Sequence, residues 1–123
     1  MTAWSIADAR AITGPQEVQI VTRRPDGTMR RPTTIWIVGD GARVFVRSTN
    51  GRSATWFRSA IASGTGRLTA RGTTYDVRFT EAADNDLPAV DAAYRSKYGT
   101  YASIVDHLTQ TGPRAATLEV DPA

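Results

Sequence analysis

Six short runs of alternating or β-branched character, separated by tight turns, limit what this chain can fold into more than any other feature. In QEVQIVTRR (16–24), Val18, Ile20 and Thr22 share one face and Glu17, Gln19, Val21 and Arg23 the other, the two-residue period of a strand. PDG at 25–27 is a turn, TTIWIVG is a second β-branched run, and GDGA returns it into a third, RVFVRS. GRLTA (66–70) and TYDVRFT (74–80) meet at Arg71-Gly72, a tight hairpin, and RAATLEV (114–120) supplies the last run.

Helical spacing fills the gaps between these runs. WSIADARAITG predicts a short helix with Ser5 as cap and Gly14-Pro15 as stop, a lid or edge helix outside the core. Trp56, Phe57, Ala60 and Ile61 predict a second helix beginning near Arg52 or Ser53, capped by Asn50 or Ser53 and ended by Gly64. Residues 87–98 read as a third, with Asp84 and Asp86 placed to cap it and Gly99 to close it, and a shorter helix spans about 103–108. Helix, three strands, helix, two strands, helix and strand, without βαβ alternation, predict a mainly β fold: a six-stranded antiparallel barrel with flanking helices. At 123 residues this is one domain, an N-terminal helix over 1–14 and a barrel with inserted helices over 16–120.

The charge is uneven. Residues 1–58 hold nine arginines against four acids, and residues 59–123 hold six bases against eight acids, so the net +3 conceals a basic first half. Fourteen of the fifteen bases are arginine, whose planar fork suits phosphate and carboxylate. The absence of cysteine excludes disulfides, thiolate nucleophiles and zinc–thiolate sites. The longest apolar run, 35–38, is far too short to span a bilayer, and no basic-then-apolar leader is visible, so cytoplasmic location is the expectation. Phosphate-loop, dinucleotide-fingerprint and nucleophile-elbow motifs are all missing, which argues against nucleotide hydrolysis and serine-type hydrolysis.

Two basic clusters remain. Arg23, Arg24, Arg30 and Arg31 surround the first hairpin tip, where they could hold an anion or form a solvated, aggregation-resistant tip. Arg47, Arg52 and Arg58 bracket Ser48, Thr49 and Asn50 at a strand-to-helix corner, where helix N–H groups favour an anion. Tyr94, Tyr98 and Tyr101 cluster, the first two on one helix face, either as core residues with wet hydroxyls or as donors above a ligand. His107, the single histidine, has no evident partner and cannot form a multi-histidine metal site.

The segments VTRRPDGTMRRPTTIWIV, VFVRSTNGRSATWFRSA, GRLTARGTTYDVRF, AAYRSKYG and ATLEV together resemble the DUF2255 family of small bacterial proteins. More remotely they are similar to deazaflavin-dependent nitroreductase-like proteins of the FMN-binding split-barrel superfamily. The resemblance implies a six-stranded split barrel, commonly dimeric, with FMN or F420 in a groove. It implies cofactor contacts from Arg30, Arg31 and Pro32 in the turn and from Ser48, Asn50, Gly51 and Trp56 after the third strand. Charge and position add Arg47 and Arg52 to that set. The relatives' turn usually reads as a Gly-Arg/Lys-Ser-Gly type, whereas this one reads RRPDGTMRR.

The function expected is a homodimeric oxidoreductase-like protein that passes hydride from flavin or deazaflavin to a small organic acceptor, with Tyr94, Tyr98 or Tyr101 as donor. The alternative is a split barrel without cofactor that binds, cyclises or isomerises a small aromatic metabolite between Trp36 and Trp56. Nucleic-acid binding ranks below both, because +3 is modest and no recognition helix is evident.

Overall fold

The computed structural model describes residues 3–123; Met1 and Thr2, which open the expected segment 1–14, lie outside the described residues. The chain runs α1 (Ile6–Thr13), β1 (Glu17–Thr22), β2 (Thr33–Asp40), β3 (Arg43–Arg47), a 3-10 turn (Gly51–Ser53), α2 (Thr55–Ser63), β4 (Thr65–Ala70) and β5 (Thr73–Glu81). It continues through a second 3-10 turn (Asp84–Asp86), α3 (Leu87–Tyr98), α4 (Ala102–Leu108), α5 (Thr111–Arg114) and β6 (Thr117–Pro122).

The six strands close into an antiparallel barrel in the order β1-β2-β3-β6-β5-β4. Three of the pairings are sequence-adjacent hairpins, and the β4–β5 turn places Arg71 at φ 50° and Gly72 at φ 81°, the positive pair that a two-residue turn needs to match strand twist. The other three, β1–β4, β3–β6 and β5–β6, close the ring and leave no edge strand.

Strand alternation sorts the side chains. Val18, Ile20, Ile35, Ile37, Val44, Val46, Leu68, Val77, Leu118 and Val120 fill the interior. On β2 and β3 the opposite face is buried as well: Val38 and Phe45 pack against Val90, Tyr94 and Tyr98 of α3 and Val105 and Leu108 of α4, forming a second core outside the barrel.

Four local expectations change. The last strand begins at Thr117 and not at 114, because Thr111–Arg114 winds into α5. Helix α1 is part of the core and not a lid, because Ala9 and Ile12 are buried in the barrel cluster and the Trp4 indole donates to the Val120 carbonyl at 2.7 Å. Helix α2 starts at Thr55, after Ala54, with no side-chain cap, since Gly51–Ser53 forms a 3-10 turn instead. Asp86 precedes α3 without capping it; both its carboxylate oxygens accept from Arg43 at 2.9 Å, a bidentate pair that holds this carboxylate below its usual range. Ser5 does cap α1, accepting from the Asp8 amide at 3.0 Å.

Candidate functional site

Two grooves flank the start of α2. The first, of about 690 Å³, lies between the β1–β2 hairpin and one face of α2. Thr55, Arg58, Ser59, Ala62 and Ser63 recur at helical spacing along that face, and Arg23, Arg24 and Arg30 come from the hairpin. Ser59 fastens the two elements: its hydroxyl donates to the Arg23 carbonyl at 2.5 Å and accepts from Arg30 Nε at 3.0 Å. Arg23 Nε donates to Thr65 Oγ1 at 3.2 Å, and Arg24 Nη1 to the Met29 carbonyl at 2.7 Å. No carboxylate lines this groove, and none of its four arginines forms an ion pair among the described residues. Asp26, in the same hairpin, is engaged by Thr28, whose hydroxyl and amide hold that carboxyl below its ordinary value.

The second groove, of about 490 Å³, is aromatic. Trp36 of β2, Trp56 of α2, Tyr101 just before α4 and Ile104 of α4 form its walls, with Asn50 and Arg47 also lining it. Trp36 is held flat by Tyr98, stacked at 3.9 Å with 3° between the planes, and Tyr101 lies 5.4 Å from Trp36. The two grooves approach each other where residues 30–33 pass the first turn of α2, since Arg30 and Thr55 line one and Thr33 and Trp56 the other.

The structure brings together only part of the expected set. Arg30, Trp36, Asn50, Trp56 and Tyr101 stand on the grooves, whereas Arg31 and Pro32 are exposed beside them without lining either. Arg47 is not a surface donor. Alternation on β3 puts it on the same side as Phe45, beneath α3, where Nη1 contacts Asp91 Oδ1 at 2.6 Å and the Leu108 carbonyl at 3.0 Å and Nε donates to Thr117 Oγ1 at 2.8 Å. Ser48 is buried, with a hydroxyl that has no partner among the described residues. Gly51 is buried at φ 71° in the 3-10 turn. Arg52 turns away to Glu81 and to the Ala115 carbonyl, the latter at 2.8 Å, and lies over the Phe57 ring.

Among the tyrosines, Tyr94 and Tyr98 belong to the outer core. Tyr98 donates to the Gln16 carbonyl at 2.6 Å and accepts from the Ile37 amide at 3.1 Å; burial pushes its phenol up to about 12. Tyr94 is fully buried with its hydroxyl unpartnered, and its phenol is pushed up by the same cause. Tyr101 alone reaches a groove, its hydroxyl accepting from Gln16 Nε2 at 3.4 Å. His107 Nε2 lies 2.6 Å from the Thr49 carbonyl on the surface.

Sequence reasoning placed Arg58 in the Ser48–Asn50 corner cluster, whereas it lines the first groove, and it left out Ser59, Asp91 and Arg114. The helical stripe of Thr55, Arg58, Ser59, Ala62 and Ser63 carried the signal for Ser59. An acid at 91 inside the apolar stripe of 87, 90, 94 and 98 carried the signal for a buried guanidinium partner.

A closed six-stranded antiparallel barrel with a second helical core and two grooves at one helix start defines the split-barrel class. The chain belongs to the DUF2255 family, described as uncharacterized proteins conserved in bacteria, whose profile matches residues 8–120. No curated protein matches it. Among solved structures it is similar to an F420-H2 dependent reductase, at 14% identity and TM-score 0.66 over 86% of this chain and 94% of that one. It is also similar to a structure described as a domain-swapped dimer, at 13% identity and TM-score 0.67 over 94% and 91%. A protein of unknown function from Agrobacterium tumefaciens matches at 14% identity and TM-score 0.69 over 96% of this chain, which spans only 52% of that one. At these identities the likeness is one of fold. Among the described residues no helix is long and apolar enough to cross a membrane, and no three His, Cys, Asp or Glu side chains gather around a possible metal position.

Proposed function

We propose that this protein binds FMN or F420 and passes hydride from it to a small organic acceptor. The observation that carries the reading is the carboxylate-free groove of Arg23, Arg24, Arg30 and Arg58 close to an aromatic groove walled by Trp36, Trp56 and Tyr101. Four guanidinia with no acid among them suit a phosphate-bearing tail, and the uncapped N–H groups at the start of α2 add a favourable dipole. The tryptophan walls suit a planar ring and keep water from it. When bound, such a cofactor supplies the hydride. Tyr101 is the one tyrosine placed to give a proton to the acceptor, because Gln16 occupies an acceptor site on its oxygen and leaves its O–H free. The fold shared with an F420-H2 dependent reductase supports the same reading.

A homodimer in the cytoplasm belongs to this reading. Tyr101 and Ile104 expose apolar surface at the rim of the aromatic groove, and one relative is described as a domain-swapped dimer. Light scattering on the purified protein measures the mass.

The deciding experiment compares FMN with riboflavin, and F420 separately, by calorimetric titration in wild type and in Arg30→Ala/Arg58→Ala. FMN or F420 binding that weakens at least about tenfold in the double variant, with riboflavin unaffected, is expected. Failure of both cofactors to bind, oxidised or reduced, overturns the reading. The second reading, an aromatic-metabolite binder without cofactor, is favoured by the aromatic groove having walls of its own. It is supported instead if small aromatic molecules bind and neither cofactor does.

A further inference from the structure

The aromatic groove runs along α4. Tyr101 stands at one end beside Trp36, Gln16 and Glu17, and Leu108 stands at the other, where its carbonyl accepts from Arg47. Seven residues of helix separate these ends by roughly 10 Å.

Arg47 is the unusual member of the lining. Its side chain is 0% exposed, guanidinium does not deprotonate in proteins, and a buried cation is costly unless matched by a negative charge. One carboxylate, Asp91, serves two guanidinia: Oδ1 takes Arg47 at 2.6 Å and Oδ2 takes Arg114 Nε at 2.9 Å. The cluster therefore carries one positive charge in excess. Among the described residues Arg47 Nη2 has no hydrogen-bond partner, and the neighbouring Ser48 hydroxyl has none either. Within this groove the Asn50 amide forms no side-chain hydrogen bond within the described protein, while the single acid, Glu17, stands at the opposite end.

We infer that the aromatic groove selects a planar aromatic carboxylic acid, its ring between Trp36 and Trp56 and its carboxylate beside the Asn50 amide at the Arg47 end, where the excess positive charge of the buried Arg47–Asp91–Arg114 cluster attracts it. This rests on the proposed function only in treating the groove as the acceptor's place; it names the acceptor's class. Glu17 reinforces the orientation by repelling the carboxylate from the far end. A water beside Asn50 would leave the excess charge untouched, so the two occupants differ in what they predict.

The test uses 2-naphthoate and its neutral counterpart 2-naphthamide, titrated calorimetrically into the full-length protein without cofactor. The acid is expected to bind about tenfold or more tightly than the amide. Arg47→Met, which leaves Asp91 paired with Arg114, is expected to abolish that preference while the amide still binds. Arg114→Met touches no part of the groove and removes the excess charge; it is expected to reduce the preference severalfold, and it carries the test if the Arg47 variant does not fold. Equal binding of acid and amide to wild type, no binding of either, or a preference unchanged in the folded variants overturns the inference. Titrating FMN and F420 into the same wild-type protein keeps the two proposals apart. Naphthoate preference without cofactor binding removes the oxidoreductase reading alone, and cofactor binding without the preference removes this one alone.

Discussion

Lys97, the one lysine, has its ammonium held by three backbone carbonyls, those of Thr13, Pro15 and Ile37, each at 2.7 Å. It ties α3 to the α1–β1 junction and to β2, next to Tyr98 and the Trp36 it supports. Replacing it with Met leaves those acceptors unmatched and is expected to cost about 2 kcal/mol in urea denaturation. Burial pushes this amine down to about 8 from an ordinary 10.5. Between those values the unfolded chain binds more protons than the folded one, so this group's contribution to stability rises with pH from about 8 to about 10.5. The difference in unfolding free energy between wild type and Lys97→Met is therefore expected to widen in favour of wild type across that interval; a flat or falling difference contradicts it. The same scale explains what could be read of the tyrosines. Spacing gave Tyr94 and Tyr98 a common helix face, but only packing put that face against Phe45 and Val38 and left Tyr101 on a groove.

Among the elements, α1 departs furthest from its sequence reading. Its alanines and exposed charges suggest a surface helix, yet Ile12 is completely buried beside the barrel residues. Ile12→Ala is expected to destabilise the protein by about 3 kcal/mol, measured by chemical denaturation, whereas a helix that merely lies over the barrel would lose under about 1. The β4–β5 hairpin was legible in full, because a turn of two residues is a local matter of positive φ. Arg71 at φ 50° sits where asparagine is more comfortable, so Arg71→Asn is expected to raise stability by about 0.5 kcal/mol and the thermal midpoint by a degree or more. The start of α2 was less legible. Ser53 and Asn50 are both good caps, and the choice of a 3-10 turn followed by an uncapped Thr55 depends on how Gly51 packs against α5.

Across the whole molecule, the basic first half does not form one surface. Arg43, Arg47 and Arg52 pair with Asp86 and Glu119, with Asp91, and with Glu81, all from the acidic second half, and the arginines of the first half that form no ion pair among the described residues gather at the hairpin and α2, apart from Arg10 on α1. The two proposed anion sites therefore differ in character. Exposed Arg24 and Arg58 are screened by salt, so FMN affinity is expected to fall severalfold between 50 and 500 mM salt, numbers chosen to bring the Debye length from about 14 to about 4 Å. Naphthoate at buried Arg47 is expected to change less over the same titration; equal salt dependence of the two ligands contradicts the distinction. The sequence by itself determined the six strands, the hairpins at 25–27, 39–42 and 71–72, the helices over 87–98 and 103–108, and the antiparallel barrel, because periodicity and turn chemistry act within a few residues. Only the tertiary structure decided which arginines keep a free face. That choice depends on β1–β4 and β3–β6 closure and on α3 and α2 docking, contacts between residues dozens apart in the chain, whose partners a linear pattern does not specify.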